Sequence, residues 1–272
     1  MRLTDLAVER NFLYNVRITE ERLQKLQDQA SSGKNFSRPQ DDPIGVQRSI
    51  NLNHRLSQNT QYLRNLDRAR TWMEHAESGL AQVTSILSRA EELGLYALTD
   101  TTPPDARKAI AMEIKELASE LADLRNWNIE GRNVLVGTMP TWQLGSGVTV
   151  QAEDQTALLD DAQKALDDLA DLLSVDLSLD HASVQATLGA ITDIADGVLA
   201  QRAMNGARIK RVEAIEDKIQ SLDIDFQRMI SDVEDVDLTQ LLVRLKSAEA
   251  SYQAALGAGA RLIQPTLLDY LR

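Results

Sequence analysis

The sequence predicts a mainly α protein: an elongated antiparallel helical bundle, or coiled coil, of its N- and C-terminal segments, with a small β-containing lobe in the middle. Three observations carry this. Hydrophobic residues make up 43% of the 272-residue chain but aromatic residues only 4%, which suits helices packed side by side better than one thick core. Apolar residues recur at alternating steps of three and four toward both ends. Strand-like alternation is concentrated in residues 127–155.

In the first segment Phe12, Val16, Thr19, Leu23, Leu26 and Ala30 fall on one seam of a helix. Gly33 and Pro39 break it within "SSGKNFSRPQDDPIGVQRS", residues 31–49. The same stretch starts the next helix. Asp42, which follows Asp41, can accept hydrogen bonds from the free amides of a first turn, and Pro43 suits that turn's first position. From there a seam of Leu52, Leu56, Asn59, Leu63, Leu66, Ala69, Met73, Ala76, Leu80, Val83, Leu87, Ala90 and Ala97 continues to the "DTTPPD" break at 100–105. At 1.5 Å per residue this helix is roughly 85 Å long, more than a compact domain of this size needs.

A third helix is expected at about 105–126, with proline near its start. Residues 127–155 hold two of the three tryptophans and several glycines, and read as one small hairpin or capping lobe. Helical patterning returns at about 156–173. After "SVDLSLD" a second very long helix is expected from about 181 to 231, with Val184, Leu188, Ile191, Ala195, Val198, Asn205, Ile209, Val212, Ile219, Leu222 and Phe226 on its seam. The acidic "SDVEDVD" at 231–237 ends it, and Asp237 with Gln240 resembles a capping box opening the last helix. There Leu238, Leu241, Leu245, Ala248, Tyr252, Ala255, Gly259 and Leu262 form an unbroken heptad seam, Pro265 closes it, and Leu267 and Leu268 lie in a short apolar tail.

Several function classes find no support. No run of eighteen apolar residues occurs, so no membrane insertion is expected, and the first thirty residues lack the apolar core of a secretory signal. With no cysteine there are no disulfides, thiolate metal sites or thiol nucleophiles. The formal charge is −12. Basic residues recur from Arg2 to Arg70, while Glu153 to Asp180 carries acids relieved only by Lys164, a poor design for binding nucleic acid. His54, His75 and His181 lie far apart, lack a Glu-x-x-His or HExxH pattern, and read as scattered surface residues. Asp232, Glu234, Asp235 and Asp237 lack the glycine and spacing of a calcium loop and read as a solvated cap. "GSG" at 145–147 is too short for a phosphate loop, and "GAG" at 257–259 lies on a heptad face, where small residues allow close helix approach. No catalytic arrangement can be assembled, so neither an enzyme nor a cofactor is expected.

What remains is packing chemistry. The seams of the end helices either close on each other within one chain, or belong to helices that are marginal alone and bury their stripes when neighbouring copies arrive. Spacing alone leaves both open, and also a cytosolic helical scaffold or signalling module.

Residues 1–49, "MRLTDLAVERNFLYNVRITEERLQKLQDQASSGKNFSRPQDDPIGVQRS", resemble the N-terminal segment of the flagellin and flagellar hook-associated protein superfamily. The likeness continues in "NTQYLRNLDRARTWMEHAESGL", "EGRNVLVGT", "LAQRAMNGARIKRVEAIED", where Arg202, Gly206, Ala207, Arg208 and Glu213 match, and "YQAALGAGARLIQPTLLDYLR". "MRLT", "DDP" at 41–43 and "LLDYL" at 267–271 are more similar to the hook–filament junction proteins of that superfamily, the hook-associated protein 3 type, than to filament flagellin. The resemblance implies an inner coiled-coil helix and connector (1–42), a helical rod (43–126 and 156–236), a small β lobe (127–155) and a second inner helix (237–272). It implies no cofactor, export through the flagellar type III apparatus to an extracellular flagellum, and assembly with copies of itself and with other hook-associated and flagellin subunits. The implied assembly residues are Phe12, Val16, Leu23, Leu26, Leu238, Leu241, Leu245, Tyr252, Leu262, Leu267 and Leu268, with Gly33, Asp41, Asp42 and Pro43 as connector and cap. The C-terminal helix, its apolar face open before export, is a candidate dock for an export chaperone. A short filament flagellin is the nearest alternative.

Overall fold

The computed structural model describes residues 2–99, 102–129, 131–174 and 180–262. In chain order these are α1 (Arg2–Ser32), α2 (Pro43–Ala97), α3 (Pro104–Arg125), β1 (Asn128–Ile129), β2 (Arg132–Asn133), β3 (Thr141–Gly145), β4 (Val148–Gln151), α4 (Thr156–Ser174), α5 (His181–Glu234) and α6 (Leu238–Leu262). The chain divides into two units, residues 58–221 and residues 1–57 with 222–272.

Residues 58–221 are organised by helical stripes. α3 buries Ile110, Ala111, Ile114, Ala118 and Leu121, and α4 buries Leu159, Ala162, Leu166, Leu169 and Leu173, all at steps of one, three or four that keep one face inward. They join Leu80, Leu87 and Ala90 of α2 and Val184, Ile191 and Val198 of α5 in one core. Gly94 permits a close approach, since a β-carbon there would stand 2.6 Å from Leu188 Cδ2. Helix starts follow local chemistry. Pro104 occupies the first position of α3, and Asp180 Oδ1 accepts from the amides of Ala182 and Ser183 at 3.2 and 3.3 Å to cap α5. The hydrogen bond from Ser183 Oγ, foremost, holds the Asp180 carboxyl below its ordinary range.

The middle segment makes two antiparallel hairpins where the spacing suggested one: β1 with β2, and β3 with β4. The second turns at Gly147, whose φ of 75° favours glycine. Alternation sends Leu144 and Val150 inward onto Leu66, Ala69 and Met73 of α2 and Val212 and Ile219 of α5. His75 is not a scattered surface residue. Half-buried, it meets Trp127 edge-on with ring centroids 5.7 Å apart, because the turn after α3 brings that indole against α2. The run quoted from α5 is structural here: Arg202 Nε lies 2.8 Å from Glu77 Oε1, Asn205 Nδ2 donates to the Met73 carbonyl at 2.8 Å, and Arg208 pairs with Glu153.

In the other unit, α1 pairs with α6, and the two connectors, 33–42 and 235–237, meet.

Candidate assembly surface

The paired end helices use the stripes read from the sequence. Leu26, Leu241 and Ala248 are buried, with Leu23, Ala30, Leu245 and Val236 packed around them. Phe12, Val16, Thr19, Tyr252 and Ala255 are half-buried along the same faces. Gly259 is buried opposite Phe12, and a β-carbon at 259 would collide with the phenyl ring. The glycine therefore sets how closely α1 and α6 approach there. The seam thus closes within the chain.

Leu238 departs from the expected stripe: it is 55% exposed. The reason is the helix entry. Asp237 Oδ1 accepts from the amides of Thr239 and Gln240 at 2.9 and 3.2 Å, so Leu238 is the first helical residue. Val236, just before the cap, packs toward Leu241, the fourth helical residue, and fills the place Leu238 would have taken, as in a hydrophobic staple. The capping box is half made, because the Gln240 side chain accepts from Arg244 at 3.4 Å. The side chain of Leu262, and Leu267 and Leu268 altogether, lie outside the described residues.

A second set of apolar residues, which seam reasoning missed, has no cover among the described residues. Leu13, Tyr14 and Ile18 of α1 are 55%, 64% and 45% exposed, and Leu242, Val243 and Leu256 of α6 are exposed with Leu238. Each end helix therefore carries exposed apolar side chains in addition to the stripe spent on its partner helix, spread around the rest of its surface. The signal was present in the residues adjoining the heptad positions, which a single-seam reading discards.

The connectors are held together by a polar clamp. Gly33, at φ 70°, ends α1 with its amide on the Gln29 carbonyl at 2.9 Å. Its own carbonyl accepts from the Val236 amide at 3.0 Å, and the Asn35 amide donates to the Glu234 carbonyl at 2.6 Å. Asn35 Nδ2 donates to the Asp235 carbonyl at 2.8 Å. Lys34 Nζ sits 2.6 Å from Glu234 Oε2, and Ser49 Oγ, from the first turns of α2, donates to Oε1. Glu234 is therefore no solvated cap residue, since its carboxylate is largely covered. The Lys34 hydrogen bond, then that of Ser49, holds the Glu234 carboxyl below its usual range, and the same bond raises Lys34.

Asp41 accepts from the Arg38 amide at 3.2 Å and faces Lys25 at 3.0 Å, and the hydrogen bond from Lys25, foremost, keeps its carboxyl low. Asp42 Oδ1 caps α2 by accepting from the Gly45 amide at 2.9 Å, with Pro43 at the first helical position. Gly45 leaves room for this cap: a β-carbon there would run into the Asp42 carboxylate and stand 3.0 Å from the ring of Phe36, which is buried. Among the described residues no cluster of three or more His, Asp or Glu could hold a metal, and no helix is long and apolar enough to cross a membrane.

Comparison with known proteins fits this arrangement. Residues 5–139 match the family model described as the bacterial flagellin N-terminal helical region. The chain is 32% identical over 114 residues to flagellar hook-associated protein 3 of Salmonella typhimurium, a match covering 42% of this chain and 36% of that protein, so it spans about a third of that relative's length. It is 24% identical over 233 residues to a flagellin of Halalkalibacterium halodurans, covering 85% of each. The fold superposes on a solved structure described as a flagellar hook-associated protein from Vibrio parahaemolyticus, at a TM-score of 0.66 and 18% identity, over 72% of this chain and all of that one. Through residues 5–139 the chain belongs with the bacterial flagellin N-terminal helical region, which groups it with the flagellins and flagellar hook-associated proteins it resembles.

Proposed function

We propose that this chain is a non-catalytic structural subunit of the bacterial flagellum, resembling hook-associated protein 3 and joining hook to filament by self-assembly of its end helices. The observation that carries the proposal is the two sets of apolar side chains on α1 and α6, one buried and one exposed. One stripe, including Phe12, Leu23, Leu26, Leu241, Leu245 and Tyr252, pairs the two helices, while Leu13, Tyr14, Ile18, Leu238, Leu242 and Val243 remain for adjoining copies. Full burial of each leucine side chain in such a contact contributes on the order of 1.5–3 kcal/mol, so an assembled tube orders what a free subunit holds only weakly. Leu262, Leu267 and Leu268 belong to the same assembling end. The connector of Gly33, Asp41, Asp42 and Pro43 sets the exit of α1 and the start of α2.

The subunit travels to the cell exterior through the flagellar type III route, and before export the exposed apolar side chains of α6 are where a chaperone docks. Its partners on the flagellum are further copies of itself, other hook-associated proteins and flagellin. Labelled antibody on intact flagella tests the position. One band between hook and filament is expected, and absence from flagella would refute the structural role. A second reading, a short filament flagellin, has the specific support of the match covering 85% of the Halalkalibacterium halodurans flagellin. Label along the whole filament, or growth of long filaments from seeds by purified protein, would select it.

A further inference from the structure

We infer that the unit of residues 58–221 contains a built site for one internal water molecule, held between Trp72, Glu153 and the polar side chains of α5. Trp72 of α2 is 8% exposed and its Nε1–H has no hydrogen-bond partner among the described residues. Glu153 Oε2 is likewise covered, and it is this oxygen that stands in ion-pair contact with the Arg208 guanidinium, leaving the carboxylate with further lone pairs to accept. Both side chains line the same cavity, with Gln155, Gln201 and Asn205. It offers about 20 Å³ to the centre of a water-sized sphere, against the roughly 10–15 Å³ that one water requires.

The chemistry of the lining selects the occupant. A buried indole N–H left without an acceptor is costly, and the neighbouring carboxylate, paired with Arg208, keeps lone pairs that can accept a further hydrogen bond. A cation would face the Trp72 N–H and the Arg208 guanidinium. An anion would face the Glu153 carboxylate. Water alone can accept from Trp72 Nε1 and donate to the Glu153 carboxylate at once, with the amide side chains of Gln155 and Gln201, hydrogen-bonded to each other at 3.4 Å, lining the same cavity. The site joins α2, the segment before α4 and α5, and Gln155 is fixed there by its amide on the Leu135 carbonyl at 2.8 Å.

Nuclear magnetic resonance of the full chain tests this, with the Trp72 indole signal assigned among the three tryptophans by Trp72→Phe. A rotating-frame cross-peak between that N–H and long-lived water is expected, reduced several-fold or lost in Glu153→Leu. A protected indole N–H without a water cross-peak, or a cross-peak unchanged in Glu153→Leu, overturns the site. A high-resolution crystal structure of the unaltered chain decides independently of any variant. Density within hydrogen-bond distance of both atoms is expected, and a direct bond from Trp72 Nε1 to Glu153 would overturn the inference.

Discussion

The two units solve the problem of burying a helical stripe differently. In residues 58–221 four helical segments and a hairpin close around shared cores, and every one of the largest fully buried side chains among the described residues, Leu66 through Leu173, lies there. In the unit of 1–57 and 222–272, α1 and α6 share one narrow seam in which, among the described residues, only Leu241 approaches the same completeness, while further apolar side chains stay exposed. Similar periodicity thus yields a self-sufficient core in one place and an unfinished one in the other. What differs is how many walls surround each stripe, and a two-helix pair supplies one.

Truncation breaks the comparison most severely. Removing residues 1–30 or 238–272 is expected to leave the thermal transition of 58–221 in place by circular dichroism and to abolish incorporation into flagella. A truncated chain that still joins hook to filament would contradict the assembly role of the ends. Point changes sharpen the contrast. Leu166→Ala, deep in the shared core, is expected to destabilise the main transition by about 2–5 kcal/mol in urea titration. Leu241→Ala should leave that transition within about 0.5 kcal/mol, because its burial belongs to the other unit. Gly259→Leu acts on the α1–α6 approach itself by driving a side chain into Phe12, and should weaken seeded assembly at least tenfold with the main transition unchanged.

Smaller effects come from the connectors. Asp42→Ala removes the α2 cap and is expected to cost about 1 kcal/mol in that first turn, read as faster amide exchange at Gly45 and Val46. The clamp carries a pH dependence with a definite sign. Because the folded Glu234 carboxyl is held low, its contribution is present above the ordinary carboxylate range and disappears as pH falls through the depressed value. Lys34, being raised, contributes below its ordinary value and loses that contribution only at strongly alkaline pH. Amide exchange at Asn35 and Val236 should therefore accelerate on acidification, and Glu234→Gln should show the acceleration at neutral pH with little further change.

Much of this architecture could be read from residue spacing. The starts of α2 and α6 were legible because Asp42–Pro43 and Asp237 are local signals whose partners lie within three residues. The seam of α2 from Leu52 to Ala97 was legible because a helix repeats its burial every three or four residues. Glu234 and Ser49 were not, because the chemistry joins positions 185 residues apart and nothing local marks a lysine across the clamp. Leu238 was misplaced because heptad counting ignores the residue before a cap. The second hairpin was missed because β1 and β2 are two residues each, too short for alternation to show. The exposed apolar side chains of α1 and α6 escaped because a single-stripe reading stops at the first seam that accounts for a helix.

Residue-resolved hydrogen exchange of the isolated full-length chain in dilute solution tests the central claim most directly. The account predicts slow exchange through the core helices of 58–221 and markedly faster exchange through α1 and α6, with the protection of both end helices rising together on polymerisation. Protection of α1 and α6 in the free chain equal to that of α3 and α4 would contradict it.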